Sequence, residues 1–511
     1  MYNEDVEIGR DYHHLTKHSP KSVRRSAHFL DWSNQPLPFK IYSRLEALPL
    51  PHPAEPTQAP ALSAIAVDIV GPVRSIPGRD DLVRLLHFSA GITRRRTYPG
   101  GEILFRAAAC TGALYEIELY LVCGPLPDLP AGVYHFSPTE MALRILRQGD
   151  YRGVLVAASG QEPFLAHAPA IVISTGTYWR NAWKYQSRTY RHLGWDNGTI
   201  FANALALASS LGLPAKLVCG FVDDRVNYLL GLDSDREAAL ALLGLGQQAA
   251  PSHERMEGIP LLNYETVPLS REQIDYPAIR QMHHASSLQT AENAAAWRKL
   301  APAVVALPPT GEPTPLQPLP EKDIPRDTIE EVVMRRGSSR HFRREPTNFA
   351  HLSTILSRST EGIPADFRAE NRDHLNDLYL IVHAVDGLRP GAYFYSVERR
   401  RLEGLKYGDF RRQAAFLALD QALAGDAAVA VFFLADLNRW MGWFGNRGYR
   451  AVQLEAGILG GKMYLAAYAL GLGATGLTFY DDEVVDFFSP HAAGSGAIFL
   501  VALGHPARQQ R

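Results

Sequence analysis

The chain is predicted to be an α+β protein made of two fused, related domains that form an intrachain pseudo-dimer. Three observations predict this. Self-comparison pairs Tyr120 with Tyr379, Gly132 with Gly391, Gly149 with Gly408, Tyr190 with Tyr449 and Gly212 with Gly471, each pair 259 positions apart. Chance similarities scatter in offset, so five collinear matches at one offset mean duplication. Short β-rich runs at 119–123, 170–175 and 428–433 read as strands. Segments 199–213 and 449–472 read as helices apolar on nearly every face, which places them at a domain centre or a large interface. The period is far too long for a solenoid. Fusion of a duplicated domain often reproduces a two-fold interface that already existed; two independent domains on a string are the alternative.

In chain order, residues 1–60 form an arm containing prolines and histidines, with no counterpart visible in the second copy. The first domain covers 61–250. A connector follows at 251–325, ending in a stretch (307–325) with seven prolines, which favours an extended path. The second domain covers 326–511. Asp327 with Glu330 reads as a capping pair that starts a helix running to about Arg336. In the second long helix the small residues Ala456, Gly457, Gly460 and Gly461 permit close approach of another helix.

Composition narrows the function. Hydrophobic residues at 46% and charged residues at 21% suit a globular protein with substantial cores. A net charge of −1 gives no basic surplus for nucleic acid or acidic membranes. Three cysteines without a CxxC pair point to a reducing compartment and a cytoplasmic location. The N-terminus has no apolar signal core, and the apolar stretch from Met463 to Leu472 sits in a region broken by Gln453, Glu455 and Lys462, so no membrane span is expected. His13-His14 and His283-His284 are adjacent pairs without a partner at ligand spacing, so no metal is expected. The GxGxxG at 471–476 follows a helix, the wrong context for a dinucleotide site.

The sharpest local motif is Arg335-Arg336-Gly337-Ser338-Ser339-Arg340 at the end of a predicted helix. Clustered guanidiniums and hydroxyls suit a phosphate, although a basic helix end also simply favours the helix dipole. This segment resembles the Arg-x-Ser-x-Arg/Lys motif of nitroreductase-family domains. Tyr12-His13 with Thr16-Lys17, the segment from Arg106 through Cys110-Thr111-Gly112 to Tyr120, and Lys184-Tyr185 before Tyr190-Arg191 resemble motifs of the SagB/McbC-type dehydrogenase branch. That branch oxidises azolines in ribosomal peptides. Its Pro-Ser in the loop is Ala109-Cys110 here. With no motif nearby to lower its pKa, Cys110 reads as an inert small residue.

The resemblance implies two fused nitroreductase-like (FMN-dependent) domains. It implies that Arg336, Ser338 and Arg340 hold the FMN phosphate and ribityl chain. Arg106, Cys110, Thr111 and Gly112 face the flavin, Gln421 meets its pyrimidine edge, and the backbone at Gly476-Leu477 approaches N5. Gln161 is the approximate counterpart of Gln421, and Arg508 and Arg511 are distal phosphate candidates. The phosphate motif exists only in copy two; the corresponding stretch of copy one, 72–76, lacks clustered arginines. The ring-facing loop exists only in copy one, because Gly91 to Tyr120 spans 29 positions and Gly362 to Tyr379 only 17. One composite site and one FMN per chain are therefore expected. Lys184 and Tyr185 are the catalytic candidates, as a base for proton removal; their copy-two equivalents, Trp443 and Phe444, cannot move a proton. The expected function is FMN-dependent oxidation of an azoline or similar heterocycle in a peptide. An NAD(P)H-dependent nitro or quinone reductase, and a flavin-free scaffold of a peptide-modifying complex, are the alternatives. Expected partners are a small-molecule or peptide substrate, with neither nucleic acid nor membrane; further association of the chain is left open.

Overall fold

The computed structural model describes residues 3–53, 55–67, 76–98, 101–252, 258–300, 310–368 and 374–507. Residues 72–75, compared above with the phosphate motif, and Arg508 and Arg511 lie outside them. In the first half a seven-stranded antiparallel sheet runs in the order Ala47–Pro49, Ala142–Gln148, Gly132–Ser137, Ile117–Cys123, Ala170–Thr177, Glu237–Leu245, Ala215–Val218. The second sheet repeats the plan: Pro313–Pro315, Arg401–Tyr407, Gly391–Ser396, Asp377–Val382, Val429–Ala435, Gly496–Pro506, with Gly473–Gly476 on Gly496–Pro506 and a last edge strand Phe342–Arg343. Strands Ile117–Cys123 and Val429–Ala435 are buried at every position; the second is wholly apolar, and in the first the Glu118 carboxylate is paired with Arg180 and His135.

Between the sheets lie two central helices, Thr189–Ser210 and Asn446–Ala469, packed along each other. The first begins ten residues before the predicted start. Arg191, His192, Asp196 and Asn197 look like solvent-facing residues in the sequence, but all four are buried. The helices cross where Gly198 meets Gly457, equivalent positions at the repeat offset. A Cβ on Gly198 would lie 2.5 Å from Gly457 Cα, and one on Gly457 would lie 2.9 Å from Gly198 Cα. Only glycine permits this approach.

The contacts around the crossing are reciprocal, as in a two-fold pair. Arg188 and Arg191 of the first half grip Asp481 of the second at 2.9 and 2.6 Å, and Arg447 and Arg450 of the second grip Asp223 of the first, both at 2.7 Å. All six groups are buried.

The arm does have a counterpart. Helix Val6–Leu15 packs against the second central helix, and helix Pro277–Ala285 packs against the first. Arg191 donates to the carbonyl of His13 and to the Thr16 hydroxyl; Arg450 donates to the carbonyl of His283 and to the Ser286 hydroxyl. The pairing sits at an offset of 270 rather than 259, and little besides the two His-His pairs is shared, so sequence comparison passes over it. The proline-rich stretch is likewise more than a connector. Pro313–Pro315 forms an edge strand on Arg401–Tyr407, as Ala47–Pro49 does on Ala142–Gln148. An edge position tolerates proline, whose missing N–H faces away from the ladder. The predicted capping pair is displaced by one residue: Thr328 caps helix Ile329–Arg335 with Glu331 as reciprocal partner, while Asp327 pairs with Arg335.

Candidate functional site

On one side of the central helices, groups from both halves converge. Arg336 leaves its helix and reaches into the first half, donating from Nε to the Ala107 carbonyl at 2.9 Å and from Nη2 to the Arg106 carbonyl at 3.0 Å. Ser338 is exposed, with its hydroxyl 3.3 Å from the Tyr464 hydroxyl. Arg340 is exposed and stands close enough to Lys184 to lower its pKa. Arg94, on the hairpin Ile92–Tyr98/Gly101–Arg106, joins them: its Nη2 lies 4.0 Å from where a Cβ on Gly337 would sit. Arg94, Arg336 and Arg340 form no ion pair among the described residues. Three guanidiniums without an ion pair and a hydroxyl are donors of the kind that hold an anion such as phosphate.

The facing wall comes from the first half. Lys184 and Tyr185 end helix Tyr178–Tyr185, both half-buried. Burial, then Arg340, lowers the Lys184 pKa; burial, then Asp196, raises that of Tyr185. Gly112 adopts φ 63°, and a Cβ there would come 2.9 Å from the Tyr185 hydroxyl, so the turn needs glycine. Thr111 donates from its N–H (2.8 Å) and hydroxyl (2.9 Å) to Asp196 on the central helix. The Cys110 thiol donates to Glu116 and Asp196, each at 3.3 Å. These three side chains form the tightest cluster of metal-type ligands among the described residues, their ligand atoms within 4.8 Å of one another. Burial raises the pKa of all three, and each carboxylate further raises the thiol's, so the neutral form of each group is favoured here. Such a thiol is not activated.

Other predicted residues are placed differently. The guanidinium of Arg106 turns inward to the carbonyls of Pro38 and Ile117, and only its backbone faces Arg336. Gln421 occupies the N-cap position of helix Ala422–Asp426 and spends its amide on the Ala418 carbonyl at 2.8 Å; no described contact joins it to the cluster. Its structural equivalent is Glu162, also a helix N-cap, whereas Gln161, with φ 61°, matches Asp420, with φ 58°. The N–H of Gly476 meets the Tyr464 hydroxyl, and that of Leu477 donates to the Leu500 carbonyl at 3.1 Å, so both are already engaged. The next residue, Thr478, has a buried hydroxyl with no partner among the described residues.

The opposite side is filled by the protein. Strand register places Val218 where Gly476 stands in the other half, so Gly220 is the equivalent of Thr478. There Asp366 accepts from the N–H groups of Cys219 and Gly220, both at 2.8 Å. Helix Ala291–Arg298 packs into the same place. Trp297 donates to the carbonyl of Phe444, the equivalent of Tyr185, at 2.9 Å. Arg298 donates to the carbonyls of Ser159, Gly160 and Gly220. Sequence reasoning missed Arg94, Glu116, Asp196, Thr478, Trp297 and Asp366. Glu116 lies inside the segment from Arg106 to Tyr120 but was not singled out there; the others lie in no motif, and Arg94, Asp196, Trp297 and Asp366 are brought in by contacts distant along the chain.

The comparisons agree with this architecture. A crystal structure of a provisionally named nitroreductase from Anabaena variabilis superposes with a TM-score of 0.77 at 26% identity, covering 98% of this chain and 99% of that one. A provisionally named nitroreductase of Methanocaldococcus jannaschii is 28% identical over 171 residues, 32% of this chain and 84% of that protein. The microcin B17-processing protein McbC of Escherichia coli is 27% identical over 157 residues, and the trifolitoxin-processing protein TfxB of Rhizobium leguminosarum 29% over 172. These two matches take 30% and 32% of this chain and span only 54% and 45% of the relatives themselves. The profile of the Nitroreductase family matches residues 131–247 and 333–505, more than half of the sequence, and the chain belongs to that family.

Proposed function

We propose that the protein is an FMN-dependent oxidoreductase with one flavin per chain, held in the cleft between Arg336, Ser338, Arg340 and Arg94 on one side and Gly112, Lys184 and Tyr185 on the other. The observation that carries this is the asymmetry of the two sides. One presents unpaired cations and an unpartnered buried hydroxyl, and at the equivalent of the other Asp366, Trp297 and Arg298 fill the space. Bound flavin would supply a hydride acceptor at its N5. The arginines fix the phosphate, and the loop on Asp196 orients the ring-facing backbone. Lys184, with its lowered pKa, takes the proton from substrate, while Tyr185, with its raised pKa, stays protonated and donates a hydrogen bond.

The similarity to McbC and TfxB, both named for peptide processing, favours a substrate of the same kind. On this reading the protein oxidises an azoline or similar heterocycle in a modified peptide. The provisional names of the Anabaena and Methanocaldococcus proteins favour a second reading, an NAD(P)H-dependent reductase of nitro compounds or quinones. NAD(P)H bleaches the flavin rapidly only in the second case. The deciding measurement is an absorbance spectrum with flavin quantified after denaturation. One FMN per chain is expected. Two per chain would sink the asymmetric site, and none after incubation with FMN would leave only a scaffold role.

A further inference from the structure

The two arm helices lead into straps that begin alike and end differently. After Thr16, His18 donates its N–H to Asp481 at 2.7 Å; after Ser286, Leu288 donates its N–H to Asp223 at 2.9 Å. Each strap then forms a short helix. The second, Ala291–Arg298, buries Ala294 and Trp297 and closes the filled side. The first, Pro20–Arg25, buries none of its residues.

The first strap runs from the second half to helix Tyr178–Tyr185, which carries Lys184. It is anchored on the second half by Lys17, paired with Asp482 at 2.6 Å, and on the first half at Asp31, whose carbonyl accepts from Trp183 Nε1 at 3.0 Å. Trp32 stands edge-on to Trp183, with ring centroids 5.3 Å apart, and Trp183 immediately precedes Lys184. Between the anchors Lys21, Arg24 and Arg25 form no ion pair among the described residues, and no acidic residue occurs from Lys17 to Leu30. Phe29 is 81% exposed and Trp32 67%, whereas Trp297 on the other strap is 3% exposed. A chain with a net charge of −1 thus concentrates cationic and aromatic side chains on this strap, whose far end meets the helix that carries its candidate base.

We propose that this strap is the docking surface for an acidic segment of the peptide substrate. Carboxylates lie along Lys21, Arg24 and Arg25, and an apolar side chain packs on Phe29 and Trp32, which delivers the neighbouring ring to Lys184. Charge complementarity of this kind sets partner choice and encounter rate, and salt weakens it. The inference rests on the peptide-oxidising reading.

Fluorescein-labelled peptides bearing a thiazoline, flanked either by four glutamates or by four glutamines, would be titrated against the full-length holoprotein by anisotropy at low and high salt. The acidic peptide should bind the native protein roughly tenfold more tightly than the neutral one, with the advantage lost at high salt. Lys21→Ala/Arg24→Ala/Arg25→Ala should remove that advantage without changing flavin content, and Phe29→Ala should weaken both peptides. Equal binding of the two peptides, or an advantage that survives in the triple variant, overturns the proposal. So does binding of anionic vesicles or RNA, lost in the triple variant, in place of peptide. Anisotropy does not require turnover, so acidic-peptide binding without thiazoline oxidation would fail the catalytic reading alone.

Discussion

Arg336, Ser338 and Arg340 lie within five residues, and so the part of the proposed site that they form stands out in the sequence. The residues that complete the cleft do not. Arg94 arrives on a hairpin more than 200 positions away, and Asp196 looks like an ordinary helix carboxylate until it is seen holding Thr111. The division of labour is testable. Lys184→Ala should keep its flavin and lose turnover, whereas Arg336→Ala with Arg340→Ala should purify without flavin; absorbance and steady-state assays separate the two. Because burial and Arg340 both lower the Lys184 pKa, turnover should rise with pH and level off below the ordinary lysine value of about 10.4. Arg340→Gln, assayed at saturating FMN, should move that limb to higher pH. An unchanged profile would show that Lys184 is not the titrating base.

At the scale of elements, apolarity on every face announced the central helices, and repeated small residues announced their close approach. What the sequence hid was how far they extend, because the polar residues of the first turns are buried by pairing across the halves. The arm was hidden for a related reason: its role is carried by a hydroxyl and a carbonyl that any Ser or Thr in a helix end supplies. At the crossing, Gly198→Ala should cost about 1–3 kcal/mol through overpacking, read as a lower denaturation midpoint in urea. The same substitution at Gly212, where a Cβ would meet nothing, tests backbone strain alone, since its φ is 68°.

At the scale of the whole molecule, the duplication and its asymmetry were legible, because matching offsets and a missing loop can be counted. That one side is filled was not, since Trp297 and Asp366 align with nothing. The halves are fastened by buried ion pairs whose pH dependence follows from their pKa values. Burial works against the Asp223 carboxylate, but Arg447 and Arg450 outweigh it and hold its pKa at about 2. Its folded value lies below its unfolded value, so its contribution is fully present above about pH 4 and is lost as pH falls through about 2, on the order of 2 kcal/mol. Asp481 behaves in the same direction. Melting temperatures should therefore drop steeply below pH 4, and Asp223→Asn should flatten that limb while lowering stability at neutral pH, as expected when buried arginines lose their counter-ion.

The tandem arrangement has a consequence for inheritance. In a homodimer one gene writes both clefts, so a change that ruins one ruins its twin. Here separate codons write the two halves, and the codons for Asp366 and Trp297 could close one cleft without touching the other. The freed half can then accumulate changes that serve its neighbour, whose catalysis remains under selection.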